Sequence, residues 1–192
     1  MPNKDLHPEM PDPDSLSDSA VFHTTNTDIA ATEWHHKHHL LHMQIQDSRW
    51  QQVMSDDLAA RFWAMIDALD CPPLHASYLC ADAGMVRQMN HNFRDQDKAT
   101  NVLSFPDGEM DHETGKIYLG DMLLCFDVMQ AEAAEQGLSM EDHCLHLMLH
   151  GLLHLLGYDH IEDQEAAEME ALETRLLQVV NIANPYADEV RS

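Results

Sequence analysis

Residues 139–160 read SMEDHCLHLMLHGLLHLLGYDH, and this stretch decides both the fold and the chemistry. Ser139 is a good helix cap, with Asp142 three residues on. From there to about Leu156 the chain is apolar on most faces: Leu145, Leu147, Met148, Leu149, Leu152, Leu153, Leu155 and Leu156. A helix apolar nearly all round belongs inside a fold, so the pattern predicts a central, buried helix. Its histidines then project into packed surroundings or a cleft. His150 and His154 are four residues apart, which places both imidazoles on one helix face, one turn apart. Gly157 readily takes the left-handed conformation that ends a helix, and the chain can then return His160 toward the same point. Three imidazoles converging with a fourth position open form the ligand set of a catalytic zinc site. Such an ion lowers the pKa of a bound water to roughly 7, which makes it a nucleophile at neutral pH.

The chain holds 15 histidines, so chance pairs at helical spacing are expected. His146 and His150 form one. A straight helix separates positions 146 and 154 by about 12 Å, whereas two nitrogens on one zinc sit within about 4 Å of each other. His146 is therefore expected to be a packed or surface histidine rather than a third ligand.

Outward from this helix the pattern alternates between strands and helices. Leu40–Gln46 (LLHMQIQ) alternates as a strand does. Asp56–Leu69 is amphipathic with acidic residues at its start, and reads as a helix. Leu74–Ala81 reads as a strand, and Asp82 caps a short helix to about Phe93. Thr100–Phe105 is a strand stopped by Pro106, Asp107 and Gly108; Lys116–Cys125 is its hairpin partner across an acidic loop. Phe126–Gln136 is a helix ended by Gly137, and Gln164 to about Val180 is a last amphipathic helix. About four strands and five helices in this order indicate an α+β fold. Residues 1–39 are rich in Pro, Asp, Ser and Thr and read as a poorly ordered acidic, His-rich arm. The run His35, His36, Lys37, His38, His39 within it reads as a solvated cluster. The folded domain is expected over 40–186, with a tail at 187–192.

The 192 residues suffice for one domain with a full core. No stretch approaches the ~20 apolar residues that span a bilayer, and the start MPNKDLHPEMPDPDS lacks the apolar core of a secretory signal. A cytoplasmic protein is expected. Cys71, Cys80, Cys125 and Cys144 are widely spaced with no CxxC, which argues against a disulfide framework or a cysteine zinc knuckle. The net charge is −24, and protonating every histidine would still leave −9. Such a chain does not grip nucleic acid through a general basic surface; an RNA substrate needs a local basic spot or a partner.

Three further positions bear on the chemistry. Zinc proteases of the HExxH type place a glutamate beside the first histidine, and Gly151 stands there instead. A peptidase on that plan lacks its base. Gly151 serves either a close approach of substrate or backbone, or ordinary helix packing. Asp159 either orients a histidine ligand through its second N–H or caps the helix that follows. Asn92–Pro106 (NFRDQDKATNVLSFP) carries Arg94 and Lys98 just before a strand. An arginine there either meets phosphate oxygens with its planar fork or pairs with Asp95 or Asp97.

HGLLHLLGYDH resembles the histidine signature of the YbeY family of bacterial rRNA endoribonucleases. DKATNVLSFP, preceded by Arg94, is similar to that family's second signature; LGDMLLC and EAAEMEALE match its Leu-Gly-Asp strand and its helix after the third histidine. The likeness covers roughly residues 40–186. It implies a central mixed sheet packed with helices, and one Zn2+ held by His150, His154 and His160. It further implies single-strand-specific endoribonuclease activity in rRNA maturation, notably at the 16S 3′ end, and in ribosome quality control. RNA and the small ribosomal subunit with its associated proteins become the expected partners, and Arg94 the residue that supports activity. Ala99 departs from the family's usual proline, which loosens the turn before the strand. Two rivals stand beside this reading. One is a metallohydrolase acting on another substrate; the other is a non-catalytic ribosome-associated factor with structural zinc. Histidine-only ligation with an open position favours catalysis, since closed structural sites usually include cysteine. Imidazole ligands alone do not separate Zn2+ from Ni2+ or Cu2+.

Overall fold

The computed structural model describes residues 30–108, 110 and 117–187. Most of the expected arm (1–29), most of the acidic loop and nearly all of the tail lie outside the described residues. In chain order the elements are β1 (Ala30–His36), β2 (His39–Ile45), a 3-10 helix (Ser48–Gln52), α1 (Asp56–Leu69), β3 (His75–Ala81), α2 (Ala83–Arg94), β4 (Val102–Pro106), β5 (Gly120–Cys125), α3 (Phe126–Gln136), α4 (Met140–Leu155) and α5 (Asp163–Val179). The strands form one mixed sheet in the order β1-β2-β3-β5-β4. The β2–β3 and β3–β5 pairs are parallel; β1–β2 and β4–β5 are antiparallel at the two edges. The architecture is α+β with five strands and five α-helices, close to the expected count.

The extra strand is β1, and it moves the start of the fold from Leu40 to Ala30. It is an edge strand, and most of its residues are exposed on both faces, so no apolar alternation marks it. The histidine run is the hairpin it makes with β2, with His36 opposite His39 and Lys37 at φ +55° in the turn. His35, Lys37 and His38 are exposed, as expected of a solvated run, whereas His36 and His39 pack against the domain. His36 Nε2 lies 3.0 Å from Asp67 Oδ1, its ring stacks on Trp63 at 5.3 Å, and Lys37 Nζ donates to Asp67 at 2.6 Å. His39 Nδ1 accepts the Leu74 N–H at 3.1 Å.

One sheet face carries Leu41, Met43, Ala76, Tyr78, Met122 and Leu124 against α1, α4 and α5. The other carries Leu79, Leu103, Leu123 and Cys125 against Val86 of α2. The central strands β3 and β5 are buried along their whole length, which matches their near-continuous apolar sequence. Helix α4 is the hub: Cys144, Leu145, Met148, Leu149, Leu152 and Leu153 are fully buried, each large side chain contributing about 1.5–3 kcal/mol by leaving water. Tyr78 Oη donates to the Met148 carbonyl at 3.0 Å and ties β3 to this helix. Gly151 resolves in favour of packing. A Cβ there would sit 3.1 Å from Met122 Sδ, 3.2 Å from Ser104 Oγ and 3.3 Å from Val102 Cγ2, so the missing side chain lets α4 lie on β4 and β5.

Candidate metal centre

Helix α4 starts where Ser139 Oγ accepts the Asp142 N–H at 3.0 Å. It ends in a Schellman turn: Tyr158 N donates to Leu153 O and Gly157 N to His154 O, each at 3.0 Å, with Gly157 at φ +90°. That left-handed residue reverses the chain and returns His160 to the helix end. The rings of His150 and His154 lie 4.7 Å apart, those of His154 and His160 5.0 Å, and those of His150 and His160 5.6 Å. One nitrogen from each lies within 4.8 Å of the others. The structure thus brings together the three histidines singled out by spacing.

Their outer nitrogens fix their tautomers. His154 Nδ1 is 3.0 Å from the Tyr158 carbonyl, which only accepts, so Nδ1 carries the proton. His150 Nδ1 is 2.8 Å from Glu173 Oε1, and a carboxylate likewise accepts. In the neutral rings both Nε2 atoms are then bare lone pairs, and they face each other at 3.1 Å. A proton shared between them would relieve this. Burial, and then the neighbouring His150 and His160, lower the pKa of His154 and disfavour that proton. Converging lone pairs are the donor set a borderline-soft dication takes, and these residues fit one.

Glu173 is the residue that sequence reasoning missed. It is wholly buried on α5 and accepts from His150 and from Tyr186 Oη, with His146 Nε2 4.0 Å away. Burial pushes its pKa up, but the hydrogen bond and charge of His150, with the Tyr186 bond, outweigh this and hold it below the usual value. Its signal was positional: it follows Met169 by four residues and precedes Leu176 and Leu177 by three and four, inside α5's buried stripe. A carboxylate there needs a partner. Asp159 takes neither expected role, because its Oδ1 accepts the His160 N–H at 2.7 Å and α5 is capped by Glu162. His146 is packed, as expected, and its pKa is lowered to about 4, chiefly by burial.

The histidines open onto a cleft of about 610 Å3 whose far wall is Arg94, Asn101, Val102, Ser104 and Pro106. Arg94, the last residue of α2, donates from Nη2 to the Ser104 carbonyl at 3.2 Å. The carboxylate of Asp97 goes instead to Arg87 at 2.6 Å.

The family model for Endoribonuclease YbeY matches residues 34–181. The chain is 46% identical over 135 residues to Endoribonuclease YbeY of Pseudomonas putida W619, a match spanning 70% of this chain and 86% of that protein. It is 40% identical over 150 residues to Endoribonuclease YbeY of Pseudomonas fluorescens Pf-5, spanning 78% of this chain and 99% of that one. The chain belongs to the YbeY family of endoribonucleases. A solution structure from Thermotoga maritima shares the fold, with a TM-score of 0.53 at 24% identity over 73% of this chain and 88% of that one. The YbeY match takes in every cleft residue and Glu173 but stops short of Tyr186. No described helix is long and apolar enough to cross a membrane.

Proposed function

We propose that this YbeY-family endoribonuclease cuts single-stranded RNA with one Zn2+ held by His150, His154 and His160. Its work is rRNA maturation, at the 16S 3′ end, and ribosome quality control. The partners are precursor rRNA and the small ribosomal subunit with its associated proteins, in the cytoplasm. The observation that carries this is the pair of Nε2 atoms 3.1 Å apart on histidines that line one cleft with Arg94. When bound, the ion supplies a Lewis acid to a phosphodiester. Neutral imidazoles leave its full positive charge, which draws an anionic substrate into an otherwise acidic protein. Glu173 and the Tyr158 carbonyl hold two ligand rings in register. Arg94, anchored on the Ser104 carbonyl by one nitrogen, keeps its other donors for a phosphate and for the negative charge that grows on it.

The test is cleavage of a labelled single-stranded rRNA precursor fragment, with and without chelator and added Zn2+. His154→Ala and Arg94→Ala, purified identically, run alongside. Cleavage should vanish with chelator, return with zinc and be absent in both variants. Equal cleavage by all three proteins would mean a contaminating nuclease and sink the assignment. Product ends separate two nucleophiles, since a 2′,3′-cyclic phosphate shows attack by the RNA 2′-OH rather than by water.

A further inference from the structure

Apart from the ion, the cleft offers little to hold RNA by charge. Arg94 is the only Lys or Arg in its lining, which also holds Asp159. Elsewhere Lys37, Arg49, Arg61 and Arg87 are each tied to an aspartate. A basic track along the backbone, the usual device for a flexible polyanion, does not line this cleft. The cleft instead carries exposed apolar surface. Tyr158 and Ile161 both line it, on the loop between α4 and α5, at 39% and 78% exposure. An isoleucine left so bare beside a polar site is unusual for a side chain that gains by burial. Tyr158 is held from behind. Its N–H is bonded to Leu153 and its carbonyl to His154, so the ring stands on a fixed base one residue from Gly157.

We propose that Tyr158 is a stacking platform for an unpaired base next to the scissile phosphate, with Ile161 covering the base edge or sugar beside it. This deepens the ribonuclease reading and rests on it. A base has a π-face that stacks on an aromatic ring only when it is out of a duplex, so the platform selects single strands without a basic groove. Arg94 and the metal-site end then fix the phosphate, and Tyr158 fixes the base attached to it. Tyr158 acts on substrate binding and alignment.

The experiment compares wild type, Tyr158→Ala, Tyr158→Phe and Ile161→Ala, all zinc-loaded. The readouts are metal content, a thermal melt, KM and kcat on a single-stranded RNA, and Kd for its 2′-deoxy analogue, verified to stay intact during the measurement. The Tyr158→Ala change leaves the backbone bonds to Leu153 and His154 in place, so zinc content and melting should hold. Its KM and Kd should rise by about tenfold, the size of one lost base–aromatic stack. Tyr158→Phe should restore both, since a ring and not the hydroxyl is required, and Ile161→Ala should show a smaller rise. Binding of the analogue should also weaken only shallowly with salt, with a total log–log slope of about −0.7 to −1.4, that of one or two phosphates neutralised. An unchanged KM and Kd in Tyr158→Ala, or no rescue by Tyr158→Phe, overturns the platform. A wild type that neither binds nor cuts RNA overturns the ribonuclease reading itself, and the platform with it.

Discussion

Glu173→Gln separates what Glu173 does for the site from what it does for the fold. The carboxylate is wholly buried, and it accepts from His150 Nδ1 at 2.8 Å and from Tyr186 Oη. Glutamine keeps the shape and one acceptor for His150 but removes the charge. The bond to His150 changes from charge-assisted to neutral, which makes that ring a poorer ligand. Losing such an outer partner costs about 10- to 100-fold in metal affinity, or about 1.4–2.7 kcal/mol. The fold should weaken too, but modestly. The lowered pKa of Glu173 means that its bonds from His150 and Tyr186 more than offset the desolvation of the carboxylate, so a neutral isostere gives up part of that gain. The metal-free Gln variant should therefore melt slightly below the wild-type temperature. Its stabilisation by added Zn2+ should shrink by the same 1.4–2.7 kcal/mol, or about that, through linkage. Competition against a calibrated chelator gives the affinity, and melts with and without chelator give the stability. Affinity equal to wild type would refute the argument. So would a loss of metal-free stability with the Zn2+-induced stabilisation left unchanged, which would make Glu173 a purely structural residue.

Three other outcomes follow from the geometry. Gly120 sits at φ +132°, and a Cβ there would lie 2.1 Å from the Phe105 carbonyl oxygen. Gly120→Ala should break the β4–β5 pairing and lower stability by about 3 kcal/mol or more, read as a collapsed urea midpoint or loss to inclusion bodies. Gly157 is also left-handed at φ +90°, but a Cβ there meets nothing within 4 Å. Gly157→Ala should thus cost only about 1–2 kcal/mol of backbone strain, while zinc affinity falls further than the melt does because His160 is displaced. His146 has its pKa lowered to about 4 by burial, below its ordinary value near 6.5. Its neutral form is favoured in the fold, so its full contribution is present above about pH 6.5 and is lost as pH falls toward about 4, up to about 3 kcal/mol. Urea titrations across that window should show the loss, and His146→Leu should flatten it.

Where one side chain pattern dictates one environment, the sequence was readable. Helix α4 announces itself through its leucines, its Ser139 cap and Gly157, and these same features converge the three histidines. Asp82 and Gly137 likewise cap α2 and α3 where their chemistry requires. Strand β1 was not readable, because AATEWHH is mostly exposed on both faces and its identity comes from pairing with β2. Its turn, Lys37-His38, lacks the Asn-Gly or Asp-Gly signal of tight hairpins. Glu173 was legible only as an oddity in an apolar stripe. Its partner His150 is 23 residues away, and only the packing of α5 on α4 joins them. Tyr186 and the Ser104 carbonyl under Arg94 are non-local in the same way.

The net charge of −24 and a ribonucleic acid substrate are reconciled by locality. At 0.15 M salt, exposed charges more than about 8 Å apart are largely screened, so only charges close to the cleft act on a phosphate there. What a phosphate meets there is Arg94 and three clustered imidazoles, with Asp159 the single carboxylate in the lining. The His154 pKa is lowered chiefly by burial, and α4 is buried because nearly every residue between its histidines is apolar. The hydrophobic pattern that builds the core therefore also favours the unprotonated donor nitrogen of His154. Polar substitutions inside α4, far from any ligand, should weaken metal binding by admitting water to that helix before they unfold the domain.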